Sequence, residues 1–383
     1  MEAYITGLAA FLPGAPVTND EAEDVLGKIG GRPSRAKNLI LKRNGITRRH
    51  YAIDPATGAS THTNAALTAE AVRRLVATGA IGWDEIDLLA CGTSSPDHLI
   101  PSHAAMVHGE LKAPPCEIVA TAGVCCSSIA ALKSAFTSVL AGTARTAVVT
   151  GSELPSAVFR AGRFQTQIQA WGEKPLVLPF EQEFLRWMLS DGAAAAAVSR
   201  KPRPGKLSLR IDWIDLISYA GELDTCMYAG AVKRPDGSLR GWREVDDLYE
   251  LYRQGYFNLT QDLEVLMKNM VPVAFKRSLE QTIRRRELSP GRVDWMLPHL
   301  SSFLFKQPIY DALAACGFEI PEHKWFTNLA TKGNTGAASM FIMLEELVAS
   351  GRLKEGDRII CAIPESGRFT FGYMHLTAVS GKW

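Results

Sequence analysis

Short runs of β-branched and other apolar residues alternate along this chain with longer stretches that have helical periodicity. The predicted buried strands span residues 86–91, 117–121, 146–151, 293–297 and 358–363. The predicted amphipathic helices span residues 63–78, 127–140, 248–284 (with a break near Pro272) and 336–350. This alternation is typical of α/β layers, in which helices cover the faces of a sheet.

The chain is predicted to divide near SRKPRPG (199–205), where Pro, Gly and basic residues follow an apolar strand. The two predicted domains are residues 1–200 and 206–383, which are of similar size. TAVVTGSEL (146–154) and DRIICAIPES (357–366) each place a buried strand before a turn of small residues. This likeness gives weak support for a repeated architecture.

Composition excludes several classes of function. With 383 residues, 46% of them hydrophobic, the chain can form one large or two medium globular domains. Lys and Arg (42) nearly balance Asp and Glu (40), so we expect binding neither to nucleic acid nor to a membrane surface. The start of the sequence does not resemble a signal peptide, and no apolar run approaches the ~20 residues of a membrane span.

The seven cysteines are scattered, and their spacing fits neither a disulfide framework nor a zinc site. We therefore expect a reduced, cytoplasmic protein that needs no metal. Two of the cysteines, Cys125 and Cys126, lie within EIVATAGVCCSSIAAL (117–132), which predicts a strand, a tight turn and a helix whose first turn contains both thiols. The positive end of a helix lowers a thiol pKa, which suits a nucleophile. The alternative is that both are small buried residues.

Two further segments carry candidate catalytic residues. His299 follows a predicted strand and a proline in DWMLPH (294–299), and Asn334, in GNTGAAS (333–339), lies at the start of a predicted small-residue helix. Taken singly, such residues are more often a structural histidine and a helix cap. Together with a cysteine at the start of a helix, they form a recognisable constellation.

The sequence resembles the ketoacyl synthase III enzymes of fatty acid synthesis and their relatives over nearly its whole length. That resemblance implies a thiolase-like α/β fold of five layers (αβαβα) made of two similar halves, and a homodimer. It rests on nine segments in the expected order: ITGLAAFLP, RNGITRRHYA, CGTSSPDHLIPS, the cysteine segment, VVTGSE, SDGAAAAAV, LPHLSS, GNTGAAS and SGRFTFG.

The resemblance also implies a mechanism. Cys125 would take an acyl group from a coenzyme A or acyl carrier protein thioester, and a second thioester would then attack this acyl-cysteine in a Claisen condensation. His299 and Asn334 match the residues that stabilise the second thioester, and the backbone N–H groups of Cys125 and Gly367 match an oxyanion hole. The resemblance implies no bound cofactor.

Two cysteines compete for the nucleophilic position. A gapless match backwards from Gly151 places Cys125 at the nucleophile, and we favour this residue. Cys126 remains an alternative, because Ile129 would then occupy the apolar third position of the following helix.

The chain departs from the family at positions that affect the donor. PHLSS (298–302) lacks the polar residues that usually follow the histidine, and Leu39 stands near the position of a tryptophan that stacks on coenzyme A. A carrier-bound acyl donor is therefore favoured over free coenzyme A. Carrier docking, or simply a solvated face, is predicted for the basic residues Arg32, Arg35, Lys37, Lys42 and Arg43.

Glu153 follows a strand-ending Gly-Ser and is a candidate base for cyclisation, as in relatives that condense and cyclise β-ketoacyl chains to dialkylresorcinols or cyclohexanediones. The alternative is a structural or dimer-interface carboxylate. The segment between Ser152 and Ser190 carries aromatic residues that either line an acyl tunnel or pack as an insertion against the body: Phe159, Phe164, Trp171, Phe180, Phe184 and Trp187.

Two other functions compete with condensation. One is an acyltransferase on the same fold, in which an alcohol or amine attacks the acyl-cysteine. The other is a non-catalytic partner subunit of a ketosynthase, a class that usually loses the nucleophile. The presence of Cys125, His299 and Asn334 favours the condensing enzyme.

Overall fold

The computed structural model of the chain describes residues 1–171 and 178–381. Its strands are β1 (Tyr4–Phe11), β2 (Val17–Thr18), β3 (Arg48–Arg49), β4 (Leu88–Thr93), β5 (Glu117–Ala122), β6 (Thr146–Glu153), β7 (Gly192–Ser199), β8 (Leu207–Ser218), β9 (Met227–Tyr228), β10 (Ala231–Lys233), β11 (Leu239–Gly241), β12 (Thr260–Gln261), β13 (Trp295–Pro298), β14 (Arg358–Pro364) and β15 (Thr370–Ser380).

The helices are α1 (Ala22–Leu26), α2 (Lys37–Asn44), α3 (Asn64–Ala77), α4 (His103–Leu111), α5 (Ser127–Ala141), α6 (Ser156–Phe159), α7 (Gln165–Trp171), α8 (Phe180–Met188), α9 (Leu248–Arg253), α10 (Leu263–Val271), α11 (Leu279–Arg286), α12 (Lys306–Ala315), α13 (Leu329–Lys332) and α14 (Ser339–Ala349). A π-helical segment, Pro272–Ser278, joins α10 to α11. In the described parts of the chain, no helix is both long and apolar enough to cross a bilayer.

Nine of the described strands form one sheet in the order β13-β14-β15-β8-β1-β7-β6-β4-β5. The first half contributes β1, β4, β5, β6 and β7, of which β4 runs parallel to both β5 and β6, while β7 is antiparallel to β6 and β1. The halves join where β1 meets β8 over two residue pairs, Tyr4 with Arg210 and Ile5 with Leu209.

The second half repeats the strand arrangement of the first. Strand β13 is parallel to β14, and β15 is antiparallel to both β14 and β8, so these strands match β4, β6, β7 and β1. The counterpart of β5 is reduced to one parallel bridge between Met296 and Trp325. The predicted fold of two similar halves is confirmed. Strand β7 ends at Ser199 and β8 begins at Leu207, while the domain limits themselves remain a prediction.

Three apolar cores define the five layers. Helices α3 and α4 pack on the outer face of the first half, and α10, α11 and α12 cover the second half. Helices α5 and α14 lie between the halves, in a core that takes side chains from strands of both. Strands therefore bury both faces: on β14, Ile359, Cys361 and Ile363 point to the central core, and Ile360 and Ala362 point to the outer one.

The helix predicted over residues 248–284 is divided in the structure into α9, α10, the π-helical segment and α11. The Asp262 side chain accepts a hydrogen bond from Val265 N–H and so starts α10 as a new helix. Pro272 lacks an N–H group, and the regular helix ends at the residue before it. The predicted break near Pro272 is confirmed, whereas helical periodicity does not show the interruption between α9 and α10.

We predict that Gly92→Ala destabilises the fold, because strand β4 passes directly beneath the start of α5. A Cβ atom at Gly92 would lie 2.5 Å from backbone atoms of Ser127 and Ser128. The expected loss in the free energy of unfolding is about 1–3 kcal/mol, measured by urea denaturation. Gly109→Ala in α4 is the matched control, because its Cβ would meet nothing within 4 Å. Equal stability of the two variants would contradict this account.

Candidate active site

The segment between β5 and α5, here the cysteine turn (residues 123–126), brings both candidate thiols to the centre of the molecule. Cys126 is the N-cap residue of α5, and the first helical residue is Ser127. The prediction that both cysteines lie within the first turn of the helix is therefore wrong, because both precede the first helical residue. Strand β4 packs closely against the end of this turn, because a Cβ atom at Gly92 would lie 2.5 Å from the backbone of Ser127.

The two cysteines face different surroundings. Cys125 lines the large cavity described below. The Cys126 thiol instead donates to the carbonyl oxygens of Ile363 (3.2 Å) and Thr370 (3.4 Å), beneath the first turn of α5. Orientation therefore favours Cys125 over Cys126 as the nucleophile.

The structure reverses the sequence-based expectation for the Cys125 pKa. Burial, followed by the charges of Glu365 and Glu153, raises the pKa of the Cys125 thiol well above its ordinary value. The helix end that was expected to favour the thiolate is occupied by a carboxylate, because Glu365 accepts from Cys126 N–H. This candidate nucleophile is therefore favoured as a thiol.

His299 lies directly after β13, as predicted, and lines the same cavity as Cys125. Its backbone N–H donates to Ala362 O (2.8 Å), which ties it to β14. Its side-chain Nε2 is buried and has no hydrogen-bond partner among the described residues. Burial lowers the pKa of His299 to about 4, so the imidazole is neutral near pH 7.

Asn334 also lines the cavity, and its side chain is held in a fixed orientation. Its Oδ1 accepts from Gly336 N–H (3.0 Å), which leaves the amide NH₂ as the end available to a ligand. Its backbone N–H donates to Met188 O, and its carbonyl accepts from Ser190 N–H (2.9 Å). The structure thus brings together Cys125, His299 and Asn334, which are far apart in sequence.

Gly367 lies beside the cysteine turn, between β14 and β15. A Cβ atom at Gly367 would be 3.1 Å from the Val124 side chain. Among the described residues, neither the Cys125 N–H nor the Gly367 N–H has a backbone acceptor. Gly367 itself does not line the cavity, whereas its neighbour Ser366 does.

Glu153 ends β6 and reaches the cavity, but its carboxylate is already engaged in the fold. It accepts from Ser94 N–H (3.0 Å), from the hydroxyls of Ser94 (2.6 Å) and Ser95 (2.8 Å), and more weakly from Ala337 N–H (3.4 Å). Burial nonetheless raises the pKa of Glu153 to about 7. The contacts fit a structural carboxylate, and the pKa is suited to a base.

The cavity has a volume of about 920 Å³. Its open end is marked by exposed lining residues, among them Leu99, Tyr252 and Phe257. Its inner wall is mostly apolar, with side chains from several elements: Met188, Met227, Met270, Leu300, Phe305 and Ile309. Such a cavity suits an apolar substrate chain whose polar end meets Cys125, His299 and Asn334.

Of the aromatic residues proposed for an acyl tunnel, the five whose side chains the structure describes do not line the cavity. Phe159, Phe164, Phe184 and Trp187 are buried in the outer core of the second half, and Phe180 is partly exposed. The side chain of Trp171 lies outside the described residues. These four buried residues therefore follow the alternative, an insertion packed against the body.

The residues expected to meet an acyl donor lie on and before α2. Leu39 is about half exposed and does not line the cavity. Arg32, Arg35, Lys42 and Arg43 are exposed, whereas Lys37 is partly buried beside Glu23 (3.8 Å). No group of three potential metal ligands occurs among the described residues.

Sequence comparison shows which proteins the chain is similar to. The family described as 3-oxoacyl-[acyl-carrier-protein (ACP)] synthase III C terminal matches residues 283–367, which include His299 and Asn334. Beta-ketoacyl-[acyl-carrier-protein] synthase III of Bordetella petrii is 27% identical over 372 residues, covering 97% of this chain and 96% of the relative. The chain is therefore similar to ketoacyl synthase III over nearly its whole length.

Solved structures support the same fold for this synthase III-like chain. The tetronic acid condensing enzyme AbyA1 matches with a TM-score of 0.78 and 21% identity, over 98% of this chain and 99% of the other. Xanthomonas campestris OleA, in a structure with bound lauric acid and lauroyl-CoA, matches with a TM-score of 0.74 and 21% identity, over 98% and 99% of the two chains. At these identities the likeness concerns the fold.

Sequence reasoning missed Glu365, which contacts the cysteine turn of the synthase III-like chain. Its Oε2 accepts from Val124 N–H (3.2 Å) and Cys126 N–H (3.3 Å). A signal was present: aligning TAVVTGSE (146–153) with RIICAIPE (358–365) pairs Glu153 with Glu365. Each glutamate accepts from backbone N–H groups near the start of the central helix of the opposite half.

The raised pKa of Glu153 predicts a pH-dependent contribution to stability. Native Glu153 keeps its proton up to about pH 7, whereas an unfolded glutamate loses it near pH 4.5, so its stabilising contribution is lost as pH rises between these values. Relative to Glu153→Gln, the wild type should lose about 2 kcal/mol of unfolding free energy over this range. Urea denaturation at both pH values measures this, and a pH-independent difference would contradict it.

Proposed function

We propose that this protein joins two acyl thioesters by Claisen condensation through an acyl-Cys125 intermediate, in fatty acid or specialised polyketide-type metabolism. The observation that carries the proposal is the convergence of Cys125, His299 and Asn334 on one apolar cavity. The similarity of the sequence to ketoacyl synthase III supports the same reaction type. Roles for the individual residues follow from their surroundings.

The first step transfers the acyl group. The Cys125 sulfur attacks the thioester carbonyl, its proton leaves with the departing thiol, and a new thioester forms on the enzyme. The N–H groups of Cys125 and Gly367 would donate to the oxygen that becomes negative in this step. Each such donor typically lowers the barrier by about 3 kcal/mol.

The second step forms the carbon-carbon bond. A second thioester, malonyl-type in the simplest case, loses CO₂, and the electron pair of the broken C–C bond leaves it as a carbanion or enolate. This carbon attacks the carbonyl of the acyl-cysteine, the C–S bond breaks, and the released Cys125 thiolate takes up a proton. A neutral His299 with an N–H at Nε2, together with the Asn334 amide, would donate hydrogen bonds to the thioester oxygen where charge develops. The burial of His299 supports this role, since a neutral imidazole needs a partner for its N–H.

The substrates follow from the cavity and its surroundings. Its apolar wall favours an acyl chain without charge, carried on coenzyme A or on an acyl carrier protein, and the structural neighbour OleA holds lauroyl-CoA. Carrier docking on Arg32, Arg35, Lys42 and Arg43 is part of the proposal, because these four cations are exposed. No bound cofactor is required by this chemistry.

A homodimer is also part of the proposal. Strand β5 is the edge of the nine-stranded sheet, and Ile118 on it is 39% exposed. Leu99 and Ile100, in the segment after β4, are 76% and 86% exposed. An unprotected edge strand and exposed apolar side chains favour pairing with a second copy.

Of the alternatives to simple condensation, only cyclisation has a supporting observation of its own. An acyltransferase that makes esters or amides would use Cys125 and His299 but would not need Asn334 to stabilise an enolate. Cyclisation of the condensed chain with Glu153 as base is supported by the position of Glu153 on the cavity wall and its pKa of about 7. The non-catalytic partner subunit is the weakest alternative, because the cavity retains a thiol.

Intact mass spectrometry tests the nucleophile. Incubation with acyl-CoA and with acyl carrier protein donors should add one acyl mass to the wild type and to Cys126→Ala, and none to Cys125→Ala. The physical reason is that only Cys125 lines the cavity. Labelling that survives in Cys125→Ala and disappears in Cys126→Ala would show that Cys126 is the nucleophile. Absence of labelling from every donor would favour the partner subunit.

His299→Ala and Asn334→Ala separate condensation from simple acyl transfer. Both variants should still be acylated, and the rate of carbon-carbon bond formation should fall by about 10²–10³-fold, because each removes a donor to the developing negative charge. Product analysis with a malonyl-type extender measures the condensation rate. A full condensation rate in Asn334→Ala, or ester formation that is unaffected by it, would favour the acyltransferase.

A further inference from the structure

Glu365 occupies an unusual place for a carboxylate. It follows β14 directly and is only 7% exposed. Burial raises the pKa of this carboxyl, and hydrogen bonds from two peptide N–H groups oppose that rise. Among the described residues, no basic side chain opposes it as well. A buried acidic group without a cation is costly, so its placement calls for a role.

The contacts of Glu365 are specific to the nucleophile. Its Oε2 accepts from the N–H groups of Val124 (3.2 Å) and Cys126 (3.3 Å), the residues on either side of Cys125. The N–H between them, that of Cys125, has no backbone acceptor among the described residues. The carboxylate therefore fixes the peptide groups around Cys125 and leaves the Cys125 N–H for a substrate oxygen.

The same carboxylate lies against the other proposed oxyanion donor. A Cβ atom at Gly367 would be 3.1 Å from Glu365 Oε1 and 3.1 Å from the Val124 side chain. Gly367 therefore lies close to both Glu365 and the cysteine turn, with no room between them for a larger side chain. A single side chain therefore lies beside both backbone segments that would supply the donors of the first step.

We propose that Glu365 is a positioning residue for the nucleophile: it orders the cysteine turn and places a carboxylate beside the Cys125 thiol. This inference rests on the proposed nucleophilic role of Cys125. The helix N-terminus alone would favour a thiolate, and a negative charge on the N–H groups of the turn before the helix opposes that preference. A protected thiol resists oxidation and unspecific acylation in the absence of substrate.

Other titratable groups around Cys125 come from several elements. Glu153 reaches it from β6, and Cys126 adjoins it in the turn. His299 follows β13, and Asp97, His98 and Arg163 line the same cavity. The charge of Glu365 raises the pKa of Cys125 more than that of Glu153 does. Removing the Glu365 charge should therefore lower the pKa of Cys125 more than removing that of Glu153.

Alkylation of Cys125 tests the effect of the charge without any acyl donor. The rate with iodoacetamide is followed against pH by peptide mass spectrometry, for wild type, Glu365→Gln and the exposed control Glu355→Gln. In Glu365→Gln the pH at which the alkylation rate reaches half its maximum should fall by about one unit. Labelling near pH 7 should then become up to about tenfold faster. Glu355→Gln should match the wild type. An unchanged or higher midpoint in Glu365→Gln would overturn the proposal.

Hydrogen exchange tests the ordering of the turn. In Glu365→Leu, which offers no acceptor, the amides of Val124 and Cys126 should exchange faster, while that of Ala130, bonded to Cys126 O, stays protected. Unaltered exchange at Val124 and Cys126 would reject the positioning role. Glutamine keeps the shape and an acceptor oxygen, so the alkylation experiment does not depend on how well leucine is tolerated.

The two proposals can fail separately. A wild type that becomes acylated, together with an unchanged alkylation profile in Glu365→Gln, rejects only the role of Glu365. A shifted profile in a protein that no thioester donor acylates supports the effect of Glu365 on the thiol and rejects the condensing function.

Discussion

The candidate site depends on the direct contact between the starts of the two central helices. Ser128, in the first turn of α5, donates to the Ala337 carbonyl (2.6 Å), just before α14. Strand β6 passes so close that a Cβ atom at Gly151 would lie 2.4 Å from the same carbonyl oxygen. Small residues are needed wherever backbones meet at these distances. This contact holds Cys125, before α5, close to Asn334, before α14.

The repeated architecture explains why one cavity receives residues from both halves. Each half ends a central strand with a glutamate, and each glutamate accepts from N–H groups at the start of the opposite half's central helix. The two carboxylates have different surroundings. Glu153 contacts two serines and lines the cavity, and Glu365 contacts the cysteine turn. The first half supplies the thiol, and the second supplies the histidine and asparagine.

Electrostatics in the site follow from burial more than from charge pairing. Burial moves the pKa of Cys125 up and that of His299 down, so both rest uncharged near pH 7. A neutral thiol beside a neutral imidazole in an apolar cavity can receive an uncharged acyl chain without a large desolvation cost. Charge then develops during the reaction, where fixed donors stabilise it most.

The sequence by itself determined the alternation of strands and helices, the two similar halves, and the candidates Cys125, His299 and Asn334, because periodicity and motif order are local properties. It did not determine which thiol faces the cavity, since Cys125 and Cys126 are adjacent and their direction is set by packing against β14 and β15. Nor did it reveal that Glu365 meets the cysteine turn 239 residues away. Only the tertiary structure decides such contacts, because burial and long-range neighbours, and not the helix end alone, set the pKa of the nucleophile.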